Sequence, residues 1–412
     1  MMTRYFSAAL LLFFGALASY SAVNSAESAV SEPFRDFDPN SKYAINYDDL
    51  TAVLRTAVVD VGLSLRKVAA PAPDITGTRM KPKVKKTANE GNRFYFESVK
   101  DDEAFVQYMI GIQKSLEELP TGAPLKYFSR DEQLAYWLNL YNVTALNQII
   151  ALYPKNNLKK YTVGKKSIFS KKVLTVAGVP LSLDDIEFTI LQQNYNNNPL
   201  ILYGLYKGII GGPSIRRRAF TGDRVYADLE SNAYEFINSN RGTYIRDEKT
   251  FRVSSLYARD SSYFPDFNAD LSEHLMTQLQ GKERTALESA TKIKADINDW
   301  TVTDLGGTRA RIGGSFADSR AALLDSVKGT TPADGGGVMG AAVGNASSMM
   351  AQRGNQRSLE RVDPALMAVL DDMARSRLEE NRRNATVTID EIEGSAEAAA
   401  SDAAPAVEEE SQ

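Results

Sequence analysis

The sequence has no cysteine and a single histidine, His274. The absence of cysteine excludes disulfides, thiolate nucleophiles, iron–sulfur clusters, thiolate zinc sites and lipid attachment through a lipobox cysteine. A single histidine also excludes metal sites built from several imidazoles. We therefore expect no metal and no other cofactor.

Positively charged residues are missing from the C-terminal end. Residues 390–412 contain eight acidic residues and no basic residue, which leaves the rest of the chain at +4, since the whole chain carries −4. A net charge this small is unlike that of nucleic-acid-binding domains, so no nucleic-acid partner is expected.

Large apolar residues are scarce after residue 305, and residues 306–344 contain ten glycines. Segments of this composition bury too little apolar surface to offset the entropy lost on ordering. We expect 306–412 to be a mostly disordered Gly/Ala-rich and acidic tail. A short helix over 363–382 is the exception, because Asp363 can cap it and Pro364 suits its first turn.

The N-terminus has the pattern of a secretory signal. Arg4 precedes an apolar stretch, and no further charged residue occurs before Glu27. Residues 1–26 are predicted to be a signal peptide, with an uncleaved membrane anchor as the alternative. Cleavage would leave no transmembrane helix, and export without cysteine favours a periplasmic or secreted bacterial protein.

The pattern between residues 94 and 305 predicts one α+β domain, helix-rich with short strands and hairpins, against which 27–93 packs as an N-terminal arm. Helical spacing is clearest at Phe105 to Leu116 and at Glu132 to Leu152. The other predicted elements are a hairpin over 173–181, a capping box formed by Ser182 and Asp185, a buried strand over 200–205, a helix capped by Thr221, a strand over 250–256 and a helix over 271–279.

Several motifs resemble the family called domain of unknown function 547 (DUF547). They are Tyr136-Trp-Leu-Asn-Leu-Tyr-Asn142, Leu181-Ser-Leu-Asp-Asp-Ile-Glu187, Gly211-Gly-Pro213, Phe251-Arg-Val-Ser-Ser-Leu-Tyr257 and Asp299-Trp300. The resemblance implies a domain over 94–305 without an established reaction. The chain resembles a divergent member, because the positions where relatives commonly have histidine or cysteine carry Phe188, Leu202, Lys207 and Gly212.

Polar side chains at the motif positions are candidate ligand-binding residues: Asn139, Tyr141, Asn142 and Arg216. Asn139 and Asn142 are three residues apart and share a helix face. The alternative role of these two amides is to hold neighbouring loops by hydrogen bonds, as buried amides commonly do.

Glu187 and Lys207 are weak catalytic candidates, because burial can give a carboxylate or an amine a pKa suited to acid–base chemistry. The alternative for Glu187 is a structural ion pair with Arg216, Arg217 or Arg218. His274 lies at a polar position of a predicted amphipathic helix, where a surface location is expected.

Residues 155–172 contain seven lysines and no acid. The anion-binding candidates among them are Lys159, Lys160, Lys165, Lys166, Lys171 and Lys172. With Arg216 to Arg218 they could bind anionic envelope polymers or the acidic tail of the chain itself. A solvated hairpin is the alternative.

These observations favour an exported, non-catalytic binding or scaffolding protein, whose partner is an anionic envelope polymer or another protein. Two alternatives remain open. One is a hydrolase or transferase with an unconventional site around Glu187 and Lys207, and the other is a polyanion-binding envelope protein.

Overall fold

The computed structural model describes residues 30–66, 85–164, 166–247, 249–305, 310–312, 315–317 and 356–401. The predicted signal peptide, Lys165 and the last eleven residues lie outside these ranges. No described helix combines the length and the apolar content needed to cross a bilayer.

Helices make up most of the described chain. They are α1 (Asp48–Ala57), α2 (Phe96–Val99), α3 (Glu103–Gly122), α4 (Arg130–Leu152), α5 (Lys159–Thr162), α6 (Gln192–Asn194), α7 (Val225–Ile237), α8 (Ser255–Arg259), α9 (Phe267–Gln278), α10 (Gly281–Ser289) and α11 (Pro364–Ser401). A π-helix (Asp185–Leu191) precedes α6, and a 3-10 helix (Pro199–Gly204) follows it.

The strands are short and form small sheets. They are β1 (Val58–Val59), β2 (Arg93–Phe94), β3 (Leu174–Val176), β4 (Val179–Leu181), β5 (Thr243–Ile245), β6 (Thr250–Ser254), β7 (Lys292–Ile297), β8 (Ala310–Ile312) and β9 (Ser315–Ala317). Strands β1 and β2, β3 and β4, and β8 and β9 pair antiparallel. In the sheet β5-β6-β7, β7 joins β6 in parallel after the chain has passed through α8, α9 and α10. The predicted α+β class is confirmed.

Two large hydrophobic clusters form most of the core of the described residues, beside a small one around Val59 and Leu305. The larger surrounds α4, which is apolar on nearly all faces and therefore lies inside the domain, with Trp137 fully buried. The smaller contains Phe236, Tyr257 and Leu275. Helix α7 belongs to both clusters, because its first half packs into the larger and its second half into the smaller.

The N-terminal segment 30–66 packs on this core. The Phe34 ring contacts Trp137 edge-on at 5.0 Å between centroids. The Ile45 amide donates to Glu132 Oε1 at 3.0 Å, and β1 pairs with β2. These contacts cover one side of α4.

The C-terminal segment 356–370 also docks on the body. Val362 forms an antiparallel bridge with Ile45, and Leu366 is buried in the larger cluster. The buried Arg361 guanidinium donates to Ser115 Oγ at 2.6 Å and forms an ion pair with both oxygens of Asp49. From Asp371 to Arg382 every residue of α11 is exposed.

Two expected elements are wrong in type or start. The buried strand expected over 200–205 is the 3-10 helix Pro199–Gly204, because Asn198 Oδ1 accepts from the Leu200 amide and Pro199 occupies the first turn. Thr221 does not cap α7, since the helix begins at Val225 and the Thr221 hydroxyl donates to Asp223 Oδ1.

Other expectations agree with the structure more closely. The capping box is present, with the Asp185 amide donating to Ser182 Oγ at 3.1 Å and the Ser182 amide donating to Asp185 Oδ2 at 2.6 Å. It opens a helical stretch whose first two residues, Leu183 and Asp184, are α-helical and which continues as the π-helix. The short helix expected over 363–382 begins at Pro364 and continues to Ser401.

Candidate functional site

Asn139 and Asn142 hold two loops against α4. Asn139 donates to the Phe220 carbonyl at 2.8 Å and accepts from the Phe220 amide at 2.9 Å. Asn142 donates to the Gly204 carbonyl and accepts from the Tyr206 amide, both at 2.9 Å. Because backbone groups occupy both amides, the geometry favours loop pinning over ligand contact for these residues.

The loop held by Asn142 carries Lys207 into the interior. Lys207 Nζ donates to the Tyr141 hydroxyl and to Glu187 Oε2, each at 2.7 Å. The structure therefore brings together three of the candidate residues, which come from α4, from the π-helix and from the segment after the 3-10 helix.

Arg259, at the end of α8, completes this buried charge cluster. Its guanidinium donates to Glu187 Oε1 at 2.8 Å and to Glu187 Oε2 at 3.0 Å. It also contacts Asp184 Oδ1 at 2.8 Å and pairs with Asp260. The prediction that Glu187 pairs with Arg216, Arg217 or Arg218 is thus wrong in its partners, although the ion pair itself is present.

Electrostatics in the buried charge cluster favour the charged form of Glu187. Burial alone would raise the pKa of this carboxyl, but Arg259 and Lys207 outweigh it and lower the pKa to about 2. Burial and the charge of Glu187 raise the pKa of Asp260 to about 6. Burial and Arg259 lower the pKa of the Lys207 ammonium, whereas Glu187 opposes that shift.

This arrangement is poorly suited to acid–base catalysis. Glu187 has a pKa far below neutral and both of its oxygens accept from cations, so it is a weak base. Its side chain has no exposed surface, and that of Lys207 is 4% exposed. The cluster instead fastens the π-helix to α8 and to the Lys207 loop.

A second group of charged residues lines an open cavity of about 570 Å³. We call it the arginine groove, because its walls carry four arginines: Arg55, Arg216, Arg217 and Arg218. Arg55 comes from the last turn of α1, and the other three precede α7. The opposite wall is one face of α7, with Ser231, Asn232 and Glu235.

Arginines outnumber carboxylates at the arginine groove, whose lining contains four arginines and the two acids Asp60 and Glu235. A single oxygen, Asp228 Oδ1, faces Arg216 at 2.8 Å, Arg218 at 2.9 Å and Arg224 at 3.7 Å. Burial lowers the pKa of the Arg216 guanidinium, Asp228 opposes that shift, and Arg218 and Arg224 add to it. One carboxylate thus compensates three cations incompletely.

The other two arginines of the groove, Arg55 and Arg217, also lack a compensating negative charge within the described part of the chain. Among the described residues, no carboxylate lies within ion-pair distance of Arg55 or Arg217, and Arg217 donates only to the Arg55 carbonyl at 3.0 Å. Ser214 adds a neutral donor, because its Oγ accepts from the Asn92 amide and from Arg241, both at 3.1 Å, leaving its own proton for a ligand.

Sequence reasoning missed part of this groove. The run Arg216 to Arg218 was a visible signal, but nothing in the sequence links it to Arg55, whose carbonyl lies 162 positions away from its partner Arg217. The face of α7 carried no signal either, since serine, asparagine and glutamate are ordinary on an exposed helix face.

None of the lysines of the predicted lysine segment that the structure describes lines the arginine groove. Lys159, Lys160, Lys166 and Lys171 are exposed, and Lys172 pairs with Asp185 at 2.6 Å. These four exposed lysines fit the alternative of a solvated surface. The side chains of the acidic tail lie outside the described part of the chain, so its docking on these lysines stays a prediction.

His274 is not the surface residue expected from its position. Its Nε2 lies 2.8 Å from the Tyr203 hydroxyl, and its ring stacks on Tyr203 at 5.6 Å. Burial lowers the pKa of this imidazole to about 4. Over the residues that the structure describes, no group of histidine and acidic side chains could hold a metal ion.

Comparison with known proteins gives one match. Residues 125–237 match the family described as "Protein of unknown function, DUF547", which confirms the resemblance over that range. The matched range contains α4, the π-helix, Lys207, Arg216 to Arg218 and α7. No curated protein and no solved structure matches the chain.

Proposed function

We propose that this chain, with its DUF547 match over 125–237, is a non-catalytic binding protein that takes an anionic ligand in the arginine groove. The observation that carries the proposal is that four arginines line one open cavity, while Arg216 and Arg218 share a single carboxylate and Arg55 and Arg217 have none at ion-pair distance among the described residues. Guanidinium groups suit phosphate, sulfate and carboxylate groups, because their planar donors match two oxygens at once.

The buried charge cluster supports the non-catalytic part of the proposal. Glu187 and Lys207, the residues of the enzyme alternative, satisfy each other and have almost no exposed surface. Neither lines the arginine groove. A ligand in the arginine groove would therefore contact positive charges and hydrogen-bond donors. The buried charge cluster would supply it with neither a base nor a nucleophile.

The proposal includes export to the periplasm or the cell exterior. Its support is the uncharged stretch between Arg4 and Glu27, which has the form of a secretory signal. In that location anionic envelope polymers are abundant ligands of the right charge. The binding protein and the polyanion-binding envelope protein, which the sequence left as separate alternatives, then describe the same function.

The test is titration calorimetry of the full chain with inorganic tripolyphosphate at two salt concentrations. The variant Arg55→Gln/Arg217→Gln should lose about tenfold in affinity, since each exposed charge pair is worth up to about 1 kcal/mol. Its affinity should also depend less steeply on salt, because fewer cations neutralise the ligand.

The matched control is Lys159→Gln/Lys160→Gln, which removes the same number of exposed positive charges from the lysine segment. This control should bind tripolyphosphate like the unaltered chain. If the lysine variant loses affinity and the arginine variant does not, the anion binds at the lysine segment and the groove proposal is wrong.

A further inference from the structure

A second cavity of about 500 Å³ adjoins the arginine groove at Arg55, which lines both. One side of this second cavity is a single face of α1, formed by Asp48, Thr51, Ala52 and Arg55. Thr51 and Ala52 are each three or four residues from both Asp48 and Arg55, so the four positions share one face along the helix. Helix α1 therefore runs from the second cavity to the edge of the arginine groove.

The far end of the second cavity is acidic. Asp49 is neutralised by its ion pair with the buried Arg361. Asp48 is exposed, and within the described residues no lysine or arginine lies at ion-pair distance from it. The Asn46 amide group donates to Asp48 Oδ2 at 3.2 Å, but this neutral contact leaves the charge of the carboxylate unpaired. The two adjoining cavities thus present a carboxylate without a cationic partner at one end and arginines at the other.

The spacing of these charges sets the length of a ligand that reaches both. Asp48 and Arg55 are seven residues apart on α1, and at 1.5 Å per residue their Cα atoms are separated by about 10 Å along the helix axis. Three residues of extended peptide cover about 10 Å as well.

We infer that the two cavities are one elongated site for a short zwitterion, whose amine lies at Asp48 and whose carboxylate lies at Arg55 and Arg217. A peptide of about three residues with free ends has this chemistry and length. The inference rests on the proposed function, because it uses the arginine groove as the anionic subsite and adds a cationic one.

The C-terminal segment forms part of this site. Gln356 lines the second cavity, and its Oε1 accepts from Arg361 Nη1 at 3.4 Å. Its amide group donates to Asn46 Oδ1 at 3.3 Å. A ligand seated at Asp48 therefore lies beside the docked C-terminal segment.

The experiment compares trialanine, N-acetyl-trialanine and trialanine amide by titration calorimetry on the full chain. Trialanine should bind about fivefold more tightly than either blocked peptide, which corresponds to about 1 kcal/mol for one exposed charge pair. Asp48→Asn should abolish the difference between trialanine and its N-acetyl form while keeping the difference from the amide. Arg217→Gln should reduce the difference from the amide only.

Tripolyphosphate separates this inference from the proposed function. If tripolyphosphate binds and trialanine does not, or if trialanine and N-acetyl-trialanine bind the unaltered chain equally, the zwitterion site is wrong and the anion groove stands. If neither probe binds, the proposed function fails too. Asp48 is exposed, and its replacement by asparagine keeps the side-chain shape, so far-ultraviolet circular dichroism should confirm an unchanged fold.

Discussion

Lys207 and Glu187 show how strongly the role of a charged residue depends on its partners. Each charge is costly to remove from water, and the two charges balance only when both are present. Lys207→Met should therefore lower the free energy of unfolding by about 3–5 kcal/mol, because it leaves Glu187 buried with one cation fewer. The variant Glu187→Gln/Lys207→Met should be less destabilised than the sum of the two single variants.

Urea denaturation of the four proteins measures this coupling. Lys172→Met is the matched control, since Lys172 also pairs with an acid but is 53% exposed, and its loss should cost under about 1 kcal/mol. Strict additivity of the two cluster substitutions would contradict the coupling.

Glu132 gives the protein a pH dependence of stability. Burial raises the pKa of this carboxyl from 4.5 to about 7, against the opposing hydrogen bonds from the Ile45 and Gly222 amides. The folded protein therefore holds a proton that the unfolded chain releases between pH 4.5 and 7. This contribution is full below pH 4.5 and is lost as pH rises towards 7, by up to about 3 kcal/mol.

The check is denaturant unfolding at several pH values between 4.5 and 8. Glu132→Gln cannot ionise, so its unfolding free energy should fall less over this range than that of the unaltered chain. Since Asp260 titrates in the same range with the same sign, the informative quantity is the difference between the two proteins. Parallel pH profiles would show that the pKa of Glu132 is the same in the folded and unfolded states, which contradicts the raised pKa.

For single residues, the sequence predicted relationships between positions close together in the chain, but it did not predict contacts between distant positions. It predicted that Asn139 and Asn142 share a face, and loop pinning was one of its two alternatives. For Glu187 it offered an ion pair with Arg216, Arg217 or Arg218 as one alternative, whereas the observed partner Arg259 lies 72 positions further along. Long-range ion pairs depend on the packing of helices that no local pattern specifies.

At the scale of elements, the docking of the C-terminal segment depends on Arg361. This side chain is fully buried and pairs with Asp49. The other contacts of the segment are a bridge at Val362, a backbone hydrogen bond from Asn46 to Arg361, and apolar packing of Leu366 and its neighbours, none of which neutralises Asp49. Arg361→Met should release 356–370, because Asp49 would then lack its cation, with a loss of about 3–5 kcal/mol in unfolding free energy.

Limited proteolysis followed by mass spectrometry measures this release. The variant should be cut within 356–370 much faster than the unaltered chain. Arg357→Met is the control, since the Arg357 side chain is 88% exposed, and it should be cut at the original rate. Equal rates for Arg361→Met would mean that the apolar contacts alone hold the segment.

The elements that periodicity predicted are those with a long repeat. Helices α3 and α4 agree with their apolar spacing, and the hairpin β3-β4 agrees with its turn at Ala177-Gly178. The strand predicted over 200–205 was wrong, because a short and mostly apolar run fits a buried helix as well as a buried strand. The segment forms a 3-10 helix because Asn198 caps its first turn and Pro199 occupies that turn.

At the scale of the whole molecule, the fold class follows from the sequence and the site does not. An α+β, helix-rich body was predictable from helical spacing and short strands. The arginine groove joins residues of α1, of the loop before α7 and of α7 itself, so it exists only once the N-terminal segment has packed on the domain. The match over 125–237 includes the second and third of these but not α1.

The position of helix α7 decides how ligand binding can be measured. Its apolar side belongs to both hydrophobic clusters, and its polar side is a wall of the arginine groove. Neither tryptophan of the chain lines that groove, so intrinsic fluorescence is a poor reporter of occupancy. An anion bound to α7 instead stabilises a helix that is shared by both clusters. Binding should therefore raise the melting temperature of the entire body, which makes that temperature the better measure of occupancy.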